Sequence, residues 1–474
     1  MKYNPVTKKI IDELIEIVGK KNVISDNEKM EAYSHDETPP QYAHMPDVVV
    51  TPRTSEEIAK IVKLANLELI PITPRGGGTG LSGGAIPTFG GIVLSLERMN
   101  KIIEIDYKNM MAVVEPGVVT SEINTPINEH GLFYAGYPMS VESCFIGGNV
   151  AEDAGGGKAV KYGVTNRYIM GLEIVTPTGE IIQLGGKLVK DVTGYNLKQL
   201  IVGSEGTLGI VTKIILKLMP MPKFMVDLLV LFVDTKSAIR VVPKIMMEGG
   251  ITPTSIEYMD RLSVKTSCEY LNEKLPYQNA GAMLIIEFDG NRSEQVQADA
   301  DLIGELCFQN GAIEVYVADN YTTRERIWSV RRNIDEALRG ISPVQTDEDT
   351  VVPIASIPEF TIEVERIANK YNILIPNFGH AGDGNLHPTL LKNPNSSMEE
   401  WFEIEEKALF DIYSLCHRLG GKITGEHGVG CKRKKYLNIV TSQTEVELMK
   451  KIKMALDPNN IMNPGKIFDI NDNT

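Results

Sequence analysis

The sequence has few cysteines and no long apolar run, and both absences exclude classes of protein. Its five cysteines are scattered through 474 residues without a Cys-x-x-Cys pair. That spacing predicts neither a disulfide framework nor an iron–sulfur cluster. The longest apolar stretch, residues 228–233, is far too short to span a bilayer. We therefore expect a protein with no integral membrane segment and no cluster of its own.

Basic residues are in the minority, with 48 lysines and arginines against 62 acidic residues and a formal net charge of −14. This balance argues against nucleic acid or an anionic membrane as a general partner. An acidic substrate would need local basic groups, for which Arg331 and Arg332 are candidates. Residues 1–19 mix charged residues with helically spaced apolar ones and lack the apolar core of a signal peptide, which predicts a cytoplasmic protein.

Glycine, in contrast, is concentrated in one loop, since residues 76–84 contain six glycines. Residues without a Cβ let backbone N–H groups converge on an anion. Arg75, Thr79 and Ser82 add donors suited to a diphosphate. We interpret the loop as a cofactor cradle. A flexible surface loop is the alternative, and the flanking Pro-x-x-Pro-Arg of residues 71–75 argues against it.

A dinucleotide site of the Rossmann type would need a helix directly after the glycine loop. Short β-prone runs follow instead, at residues 92–96, 101–105 and 111–114, so a nicotinamide site of that type is disfavoured. A second glycine-rich tract at 146–157 suggests one extended ligand, and a third glycine-containing segment lies at 202–211.

The order of elements predicts two different domains. Strand 47–51, helix 55–66 and strand 70–73 form a β-α-β entry. After a boundary at 219–222, a strand–helix–strand pattern occurs twice before residue 318, which predicts an antiparallel sheet with helices on one face, a ferredoxin-like cap. The last third is predicted to be helical around an irregular segment at 376–391, with helices at 322–339, 359–371, 398–419 and 445–456.

Histidines cluster in this last third. His380 and His387 lie seven residues apart among glycines, and Gly425 is followed by Glu426 and His427. Two histidines and a carboxylate can hold zinc, manganese or ferrous iron and leave positions open for substrate. Glu426 and His427 would project differently, so one could bind the metal while the other handles a proton. Spacing alone leaves structural or surface roles open for all of them.

Together these segments resemble the FAD-linked D-2-hydroxyacid dehydrogenase family, which includes D-lactate dehydrogenases, D-2-hydroxyglutarate dehydrogenases and the flavoprotein subunit of glycolate oxidase. The resemblance covers nearly the whole chain. It is carried by the His380–His387 segment and by six further motifs: PRGGGTG at 74–80, IGGNVA at 146–151, KDVTGYN at 190–196, GSEGTLG at 203–209, GEHGVG at 425–430 and NPGK at 463–466.

The resemblance implies an α+β fold of the vanillyl-alcohol-oxidase type, also called the PCMH type. Its expected parts are an FAD-binding domain of two subdomains (1–222), a ferredoxin-like α+β substrate cap (223–430) and a C-terminal helical segment that returns to the flavin domain (431–474).

The resemblance also implies which residues bind the cofactor. Neither glycine tract contains a histidine that could attach flavin covalently, so non-covalent FAD is expected. Asp153 departs from the asparagine common in the family at that position. The implied FAD-binding residues are Arg75, Gly76, Gly77, Gly78, Thr79, Gly80, Ser82, Pro138, Ser143, Gly147, Gly148, Asn149, Asp153, Gly155, Glu205 and Ile210.

The same resemblance places His380, His387 and Glu426 on a divalent metal, makes His427 the catalytic base and directs Arg331 to the substrate carboxylate. A metal on the substrate hydroxyl would lower its pKa, so that a histidine could take the proton and hydride could pass to the flavin. Because residues 345–349 are acidic where 2-hydroxyglutarate enzymes use a nearby lysine, we expect lactate or glycolate rather than a dicarboxylate.

The expected activity is oxidation of a short D-2-hydroxyacid, with D-lactate preferred. Within the family, the chain is similar to subunits of lactate dehydrogenases that pass electrons to a two-subunit electron-transferring flavoprotein, with electron bifurcation that links lactate to NAD and ferredoxin. A glycolate oxidase subunit and a quinone-linked D-lactate dehydrogenase are alternatives. A metal-dependent hydrolase and a non-catalytic flavin scaffold are rival classes.

Overall fold

The computed structural model describes residues 3–470, which form two compact units. Unit 1 combines the N-terminal part with the C-terminal part of the chain, and unit 2 lies between them in sequence. The chain passes to unit 2 after Met221, and the division into 1–222, 223–430 and 431–474 stays a prediction. Unit 1 comprises the described residues up to Gly155, Val164–Met221 and those from Glu426 onward, and unit 2 comprises Gly156–Gly163 and Pro222–Gly425.

Unit 1 begins with a small sheet that includes the predicted β-α-β entry. Helix Ser55–Glu68 starts where Thr54 accepts a hydrogen bond from the Glu57 N–H. This helix and helix Lys8–Val18 pack on one face of the parallel strands, and Val49 and Val93 on the other face pack with Met30, which explains why those strands are apolar on both faces. The strands, in spatial order, are Val23–Ile24, Val48–Val50, Ile92–Ser95 and Ile72–Arg75.

A second sheet of unit 1 is antiparallel throughout. A short additional ladder pairs Leu132–Phe133 with Met219–Pro220. The strands of the second sheet, in spatial order, are Ile102–Asp106, Met111–Val114, Ile210–Lys217, Ile169–Val175 and Ile181–Gly185. The remaining helices of unit 1 are Asn27–Met30, Thr120–Asn128, Ile146–Glu152, Leu197–Ile201, Leu437–Val440 and Gln443–Leu456.

The C-terminal segment returns to the first sheet, as the fold class predicts. The Ile72 N–H donates to the Ile461 carbonyl at 2.7 Å, and the Asn463 N–H donates to the Ile72 carbonyl at 2.7 Å. Strand Ile72–Arg75 leads directly into the first glycine tract. The end of the chain therefore stabilises the strand that positions this tract.

Unit 2 is built on one antiparallel sheet. The first four strands of this sheet in sequence lie side by side in the order fourth, first, third, second. This arrangement confirms the predicted ferredoxin-like cap. The strands, in spatial order, are Ala312–Ala318, Phe224–Phe232, Ala282–Gly290, Ser255–Asp260, Asn377–His380, Asn385–Leu391 and Gln345–Asp347, with Thr350–Val351 also paired to Asn385–Leu391. The helices are Ala159–Tyr162, Thr235–Met247, Arg261–Leu271, Ser293–Gln309, Tyr321–Arg332, Ile334–Arg339, Ile357–Tyr371 and Met398–Arg418.

Two sequence-based element predictions were wrong. The segment expected to be irregular at 376–391 forms strands Asn377–His380 and Asn385–Leu391, because pairing within a buried sheet outweighs the weak strand propensity of its glycines. The single helix expected at 322–339 is interrupted at Asn333, so that Tyr321–Arg332 and Ile334–Arg339 are separate helices.

Within residues 3–470, no helix is both long enough and apolar enough to cross a bilayer.

Candidate functional site

Within unit 1, the first glycine tract packs against the beginning of the second. A Cβ atom added to Gly77 would lie 2.9 Å from the Ser143 carbonyl oxygen, and one added to Gly76 would lie 3.6 Å from the Gly148 nitrogen. The first of these distances is too short for any side chain unless the backbone moves. Glycine thus allows the two backbones to form one continuous surface.

This surface contains polar and steric features that fit a ligand. The hydroxyl of Ser82 is fully buried, and it has no hydrogen-bond partner within residues 3–470. A buried hydroxyl without a partner is costly unless another molecule supplies one. A Cβ atom added to Gly148 would meet no protein atom within 4 Å, so that position faces open space. A polar cofactor that needs close backbone approach fits both observations.

Arg75 and Asp153 form hydrogen bonds to the protein segments around this surface. The Arg75 guanidinium donates to the carbonyls of His35 at 2.6 Å and Ala32 at 3.1 Å. Asp153 has a left-handed φ of 55° and accepts hydrogen bonds from the Asn166 N–H at 2.7 Å and side-chain amide at 2.5 Å. These side chains position the surrounding backbone, and direct contact with a cofactor stays a prediction for both.

Most of the other predicted cofactor residues have partners inside unit 1. The Asn149 side chain donates to the Thr120 hydroxyl at 2.8 Å. Gly147 packs on Pro116, because a Cβ atom at Gly147 would lie 2.5 Å from the Pro116 Cβ. The Ser143 hydroxyl donates to the Ser140 carbonyl, the Gly80 carbonyl accepts from the Glu37 N–H, and Gly78 adopts a φ of 72°. Thr79 and Pro138 are half-buried.

Glu205 and Ile210 have structural surroundings. The buried Glu205 carboxylate accepts the N–H groups of Val429 at 2.7 Å and Gly430 at 2.8 Å. Burial raises the pKa of Glu205, and these two hydrogen bonds oppose that rise. Glu205 therefore fixes the backbone just after His427. Ile210 is buried in the core of the first sheet.

Glu426 and His427 belong to unit 1 and lie beside the second glycine tract. A Cβ atom added to Gly155 would lie 3.1 Å from Glu426 Oε2. His427 Nε2 is 3.6 Å from Glu426 Oε1, and both side chains are only partly exposed. The two residues can therefore act on the same neighbourhood, one as a carboxylate and the other as an imidazole.

In unit 2, one buried carboxylate joins two of the predicted site residues. Glu257 Oε2 accepts from Arg331 Nε at 2.7 Å, and Glu257 Oε1 lies 2.7 Å from His380 Nδ1. Burial favours the neutral acid, but the neighbouring His380 imidazole and Arg331 guanidinium outweigh burial and lower the pKa of Glu257 to about 2. The group is therefore a carboxylate at neutral pH.

Arg331 retains hydrogen-bonding capacity after this contact. Its side chain is about 5% exposed, and its Nη2 has no hydrogen-bond partner in the described part of the chain. Its Cζ lies 5.1 Å from the centre of the Phe378 ring, within the range of a cation–π interaction. A buried guanidinium nitrogen with its donors unused fits a ligand carboxylate.

His387 lies close to a carboxylate that sequence analysis missed. Ligand atoms of His387 and Asp349 lie within 4.8 Å of each other, and His387 Nδ1 is 3.3 Å from the Glu348 carbonyl. Asp349 is held by the Asn385 side chain at 2.7 Å and the Thr424 hydroxyl at 2.5 Å. The His380 and His387 rings are perpendicular, with centres 5.3 Å apart. Imidazole and carboxylate are the donors that the predicted metal would need.

The acidic segment at 345–349 differs from its sequence-based interpretation. Glu348 and Asp349 are fully buried, and Glu348 accepts from the Tyr413 hydroxyl. Hydrogen bonds within unit 2 thus compensate for the burial of these carboxylates. Their charge is a weaker argument against a dicarboxylate substrate than the sequence suggested.

Sequence analysis also missed the acids that form a polar row on one face of the unit 2 sheet, which we call the acidic row: Asp227, Glu257 and Glu287. Each lies among apolar residues in a strand, and each is buried. A charge inside a buried strand usually has a partner, so this pattern was the available signal. Helix Tyr321–Arg332 supplies partners at a spacing of seven residues, since Arg324 pairs with Asp227 and Arg331 pairs with Glu257.

Two family models match successive parts of the chain. Residues 46–185 match the family described as FAD binding domain, and residues 221–467 match FAD linked oxidases, C-terminal domain. The chain is 42% identical to glycolate oxidase subunit GlcD of Bacillus subtilis over 98% of this chain and 97% of the relative. It is 36% identical to D-lactate dehydrogenase of Anaerostipes hadrus over 98% of each chain.

A solved structure shares the fold. p-Cresol methylhydroxylase with bound substrate superposes with a TM-score of 0.80 at 20% identity, over 98% of both chains. The expected α+β fold of the vanillyl-alcohol-oxidase type is thereby confirmed.

Proposed function

Because this chain belongs to the FAD-linked D-2-hydroxyacid dehydrogenase family, we propose that it oxidises a short D-2-hydroxyacid, preferably D-lactate, to the 2-oxoacid. The observation that carries the proposal is Arg331, a buried guanidinium with an unused nitrogen beside His380 and the carboxylate of Glu257. Such a group binds a substrate carboxylate and leaves the adjacent hydroxyl-bearing carbon to be oxidised.

The acidic row of unit 2 favours a substrate with a single carboxylate. Two further cations pair with the acidic row: Arg324 pairs with Asp227 at 3.0 Å, and Lys158 pairs with Glu287 at 2.8 Å. A second carboxylate on the substrate would have to compete with these buried acids for a cation. Lactate and glycolate carry no second carboxylate, which favours them over 2-hydroxyglutarate.

FAD would be held by the glycine tracts and Ser82, and a divalent metal by His380, His387 and Glu426. When bound, FAD supplies a hydride acceptor, and the metal supplies a positive charge that makes the substrate hydroxyl more acidic. The open space at Gly148 and the unpartnered Ser82 hydroxyl support the cofactor assignment. Asp349, close to His387 in unit 2, is a further carboxylate suited to the metal.

Each protein residue then has a separate task. Arg331 binds the substrate carboxylate and orients the carbon that loses hydride. His427 takes the proton of the hydroxyl at a ring nitrogen. Glu205, through the N–H groups of Val429 and Gly430, keeps the backbone that carries His427 in place.

For the electron acceptor we propose an electron-transferring flavoprotein of two subunits. The absence of a Cys-x-x-Cys pair from the sequence argues against an internal cluster, so another protein or a diffusible molecule must take the electrons. A quinone and the partner subunits of a glycolate oxidase remain the alternatives that acceptor assays would distinguish.

Substitution of Gly148 by alanine tests the cofactor site. The new methyl group would project into the space assigned to FAD but meet no protein atom within 4 Å. We expect FAD binding to weaken by about 5- to 150-fold, the cost of overpacking by roughly 1–3 kcal/mol. The apoprotein should keep its melting temperature or gain slightly, because alanine is the better helix former.

The matched control is Gly186→Ala, which also meets no protein atom within 4 Å but lies outside both glycine tracts. Fluorescence titration of the apoproteins with FAD measures both affinities. Equal FAD affinity in wild type and Gly148→Ala would contradict the assignment.

The proposed reaction is tested by anaerobic titration of FAD-reconstituted protein with D-lactate, L-lactate, glycolate and D-2-hydroxyglutarate, with and without a divalent metal. The proposal is supported if D-lactate bleaches the flavin at a lower concentration than the other three acids. Bound but unreduced flavin would indicate a scaffold instead. Protein that folds without binding FAD would favour the metal-dependent hydrolase.

A further inference from the structure

We propose that Glu257 is a positioning residue that orients Arg331 and His380 together, so that substrate binding and metal binding depend on a single buried carboxylate. This inference rests on the proposed function, since it takes Arg331 as the carboxylate-binding group and His380 as a metal ligand. Glu257 lies in strand Ser255–Asp260, outside all of the motifs that carry the family resemblance.

The geometry gives each oxygen of Glu257 its own task. Oε2 accepts from Arg331 Nε at 2.7 Å, and Oε1 accepts from His380 Nδ1 at 2.7 Å. The Ser255 hydroxyl also donates to Oε1, at 3.1 Å. Glu257 and His380 face each other on paired strands, and Glu257 is fully buried, so neither contact is replaced by water.

The contact with His380 selects the nitrogen that can bind a metal. A carboxylate only accepts hydrogen bonds, so Nδ1 carries the ring proton and Nε2 keeps its lone pair. A carboxylate behind a ligating histidine fixes the tautomer and ring orientation in this way, and its loss usually weakens metal binding by about 10- to 100-fold.

The contact with Arg331 selects which guanidinium edge remains for the substrate. With Nε bound to Glu257 and Cζ over the Phe378 ring, the terminal nitrogens are the ones left to contact a ligand. Nη2 has no partner within residues 3–470. Without Glu257 the guanidinium could rotate, and the substrate would have to supply the energy of ordering it.

The first test is Glu257→Gln, which keeps the size of the side chain but removes its charge. In the folded, FAD-loaded variant we expect affinity for Zn²⁺, titrated alone against a chromophoric chelator, to fall by about 10- to 100-fold. The KM for D-lactate should rise by about 10-fold or more while kcat changes less, because ground-state binding is lost. FAD content should stay at the wild-type level.

Glu287→Gln is the matched control. Glu287 belongs to the same acidic row and is equally buried, but it pairs with Lys158 and Arg324 instead of Arg331 and His380. A general effect of removing a buried charge would appear in both variants, whereas a positioning role predicts loss of Zn²⁺ affinity in Glu257→Gln alone.

A second variant, Gly157→Ala, keeps the charge of Glu257 but displaces its carboxylate. The added Cβ would lie 2.7 Å from Glu257 Oε1 and 3.4 Å from His380 Nδ1, so the end of the Glu257 side chain must move and its contact with His380 must change. We expect Zn²⁺ affinity to fall more than D-lactate KM rises. This variant also carries the test if Glu257→Gln does not fold.

Wild-type Zn²⁺ affinity and D-lactate KM in the folded variants would overturn the inference while leaving the proposed function intact. If the wild-type protein is not reduced by any 2-hydroxyacid, the proposed function fails. A selective loss of Zn²⁺ affinity in Glu257→Gln and Gly157→Ala would still support the positioning of His380 in that case.

Discussion

Substitution of His427 by alanine is expected to slow reduction of FAD by D-lactate by about 10²- to 10⁴-fold, the usual contribution of a general base. The substrate hydroxyl must lose its proton as hydride leaves the same carbon, and alanine offers no acceptor. FAD should remain bound, because the glycine tracts and Ser82 are unchanged. The backbone at Val429 and Gly430 should also be kept in place by Glu205.

Anaerobic stopped-flow measurement of flavin bleaching gives the rate directly. His417→Ala is the control, since His417 is exposed near the end of helix Met398–Arg418. Added imidazole should partly restore the rate in His427→Ala, which a merely misfolded variant would not show. Bleaching of His427→Ala within about threefold of the wild-type rate would exclude the assigned role.

Substitution of Arg331 by methionine is expected to raise the KM for D-lactate by about 30- to 1,000-fold, or roughly 2–4 kcal/mol. The substrate carboxylate would lose its charged partner in a buried setting. Glu257 would also lose the hydrogen bond from Arg331 Nε. Arg331→Lys should recover only part of the loss, because an ammonium lacks the planar fork of a guanidinium.

Arg332→Met separates this role from a general effect of positive charge. Arg332 is the next residue in the helix but is exposed and pairs with Glu325. The sequence alone made both arginines candidates for an acidic substrate. Steady-state kinetics with an artificial acceptor should show a raised KM only for Arg331→Met, and an unchanged KM there would contradict carboxylate binding by Arg331.

Much of the fold could be predicted from local sequence signals. The strand–helix–strand order and the ferredoxin-like cap follow from apolar periodicity, which is a property of neighbouring residues. Prediction failed where a segment carries weak local preferences. Residues 376–391 are rich in glycine, yet they form strands because the sheet supplies hydrogen-bonding partners that local sequence does not reveal.

The candidate site likewise has a part that local sequence predicts and a part that it does not. The sequence by itself determined that this chain is an FAD-linked oxidase with two glycine tracts and a histidine segment, because each motif is a short run of consecutive residues. Only the tertiary structure decided which side chains work together. Glu257 meets partners that lie 74 and 123 residues further along the chain, and Glu205 holds a backbone segment 224 residues away. Contacts of that kind depend on how strands and helices pack, and sequence spacing carries no record of them.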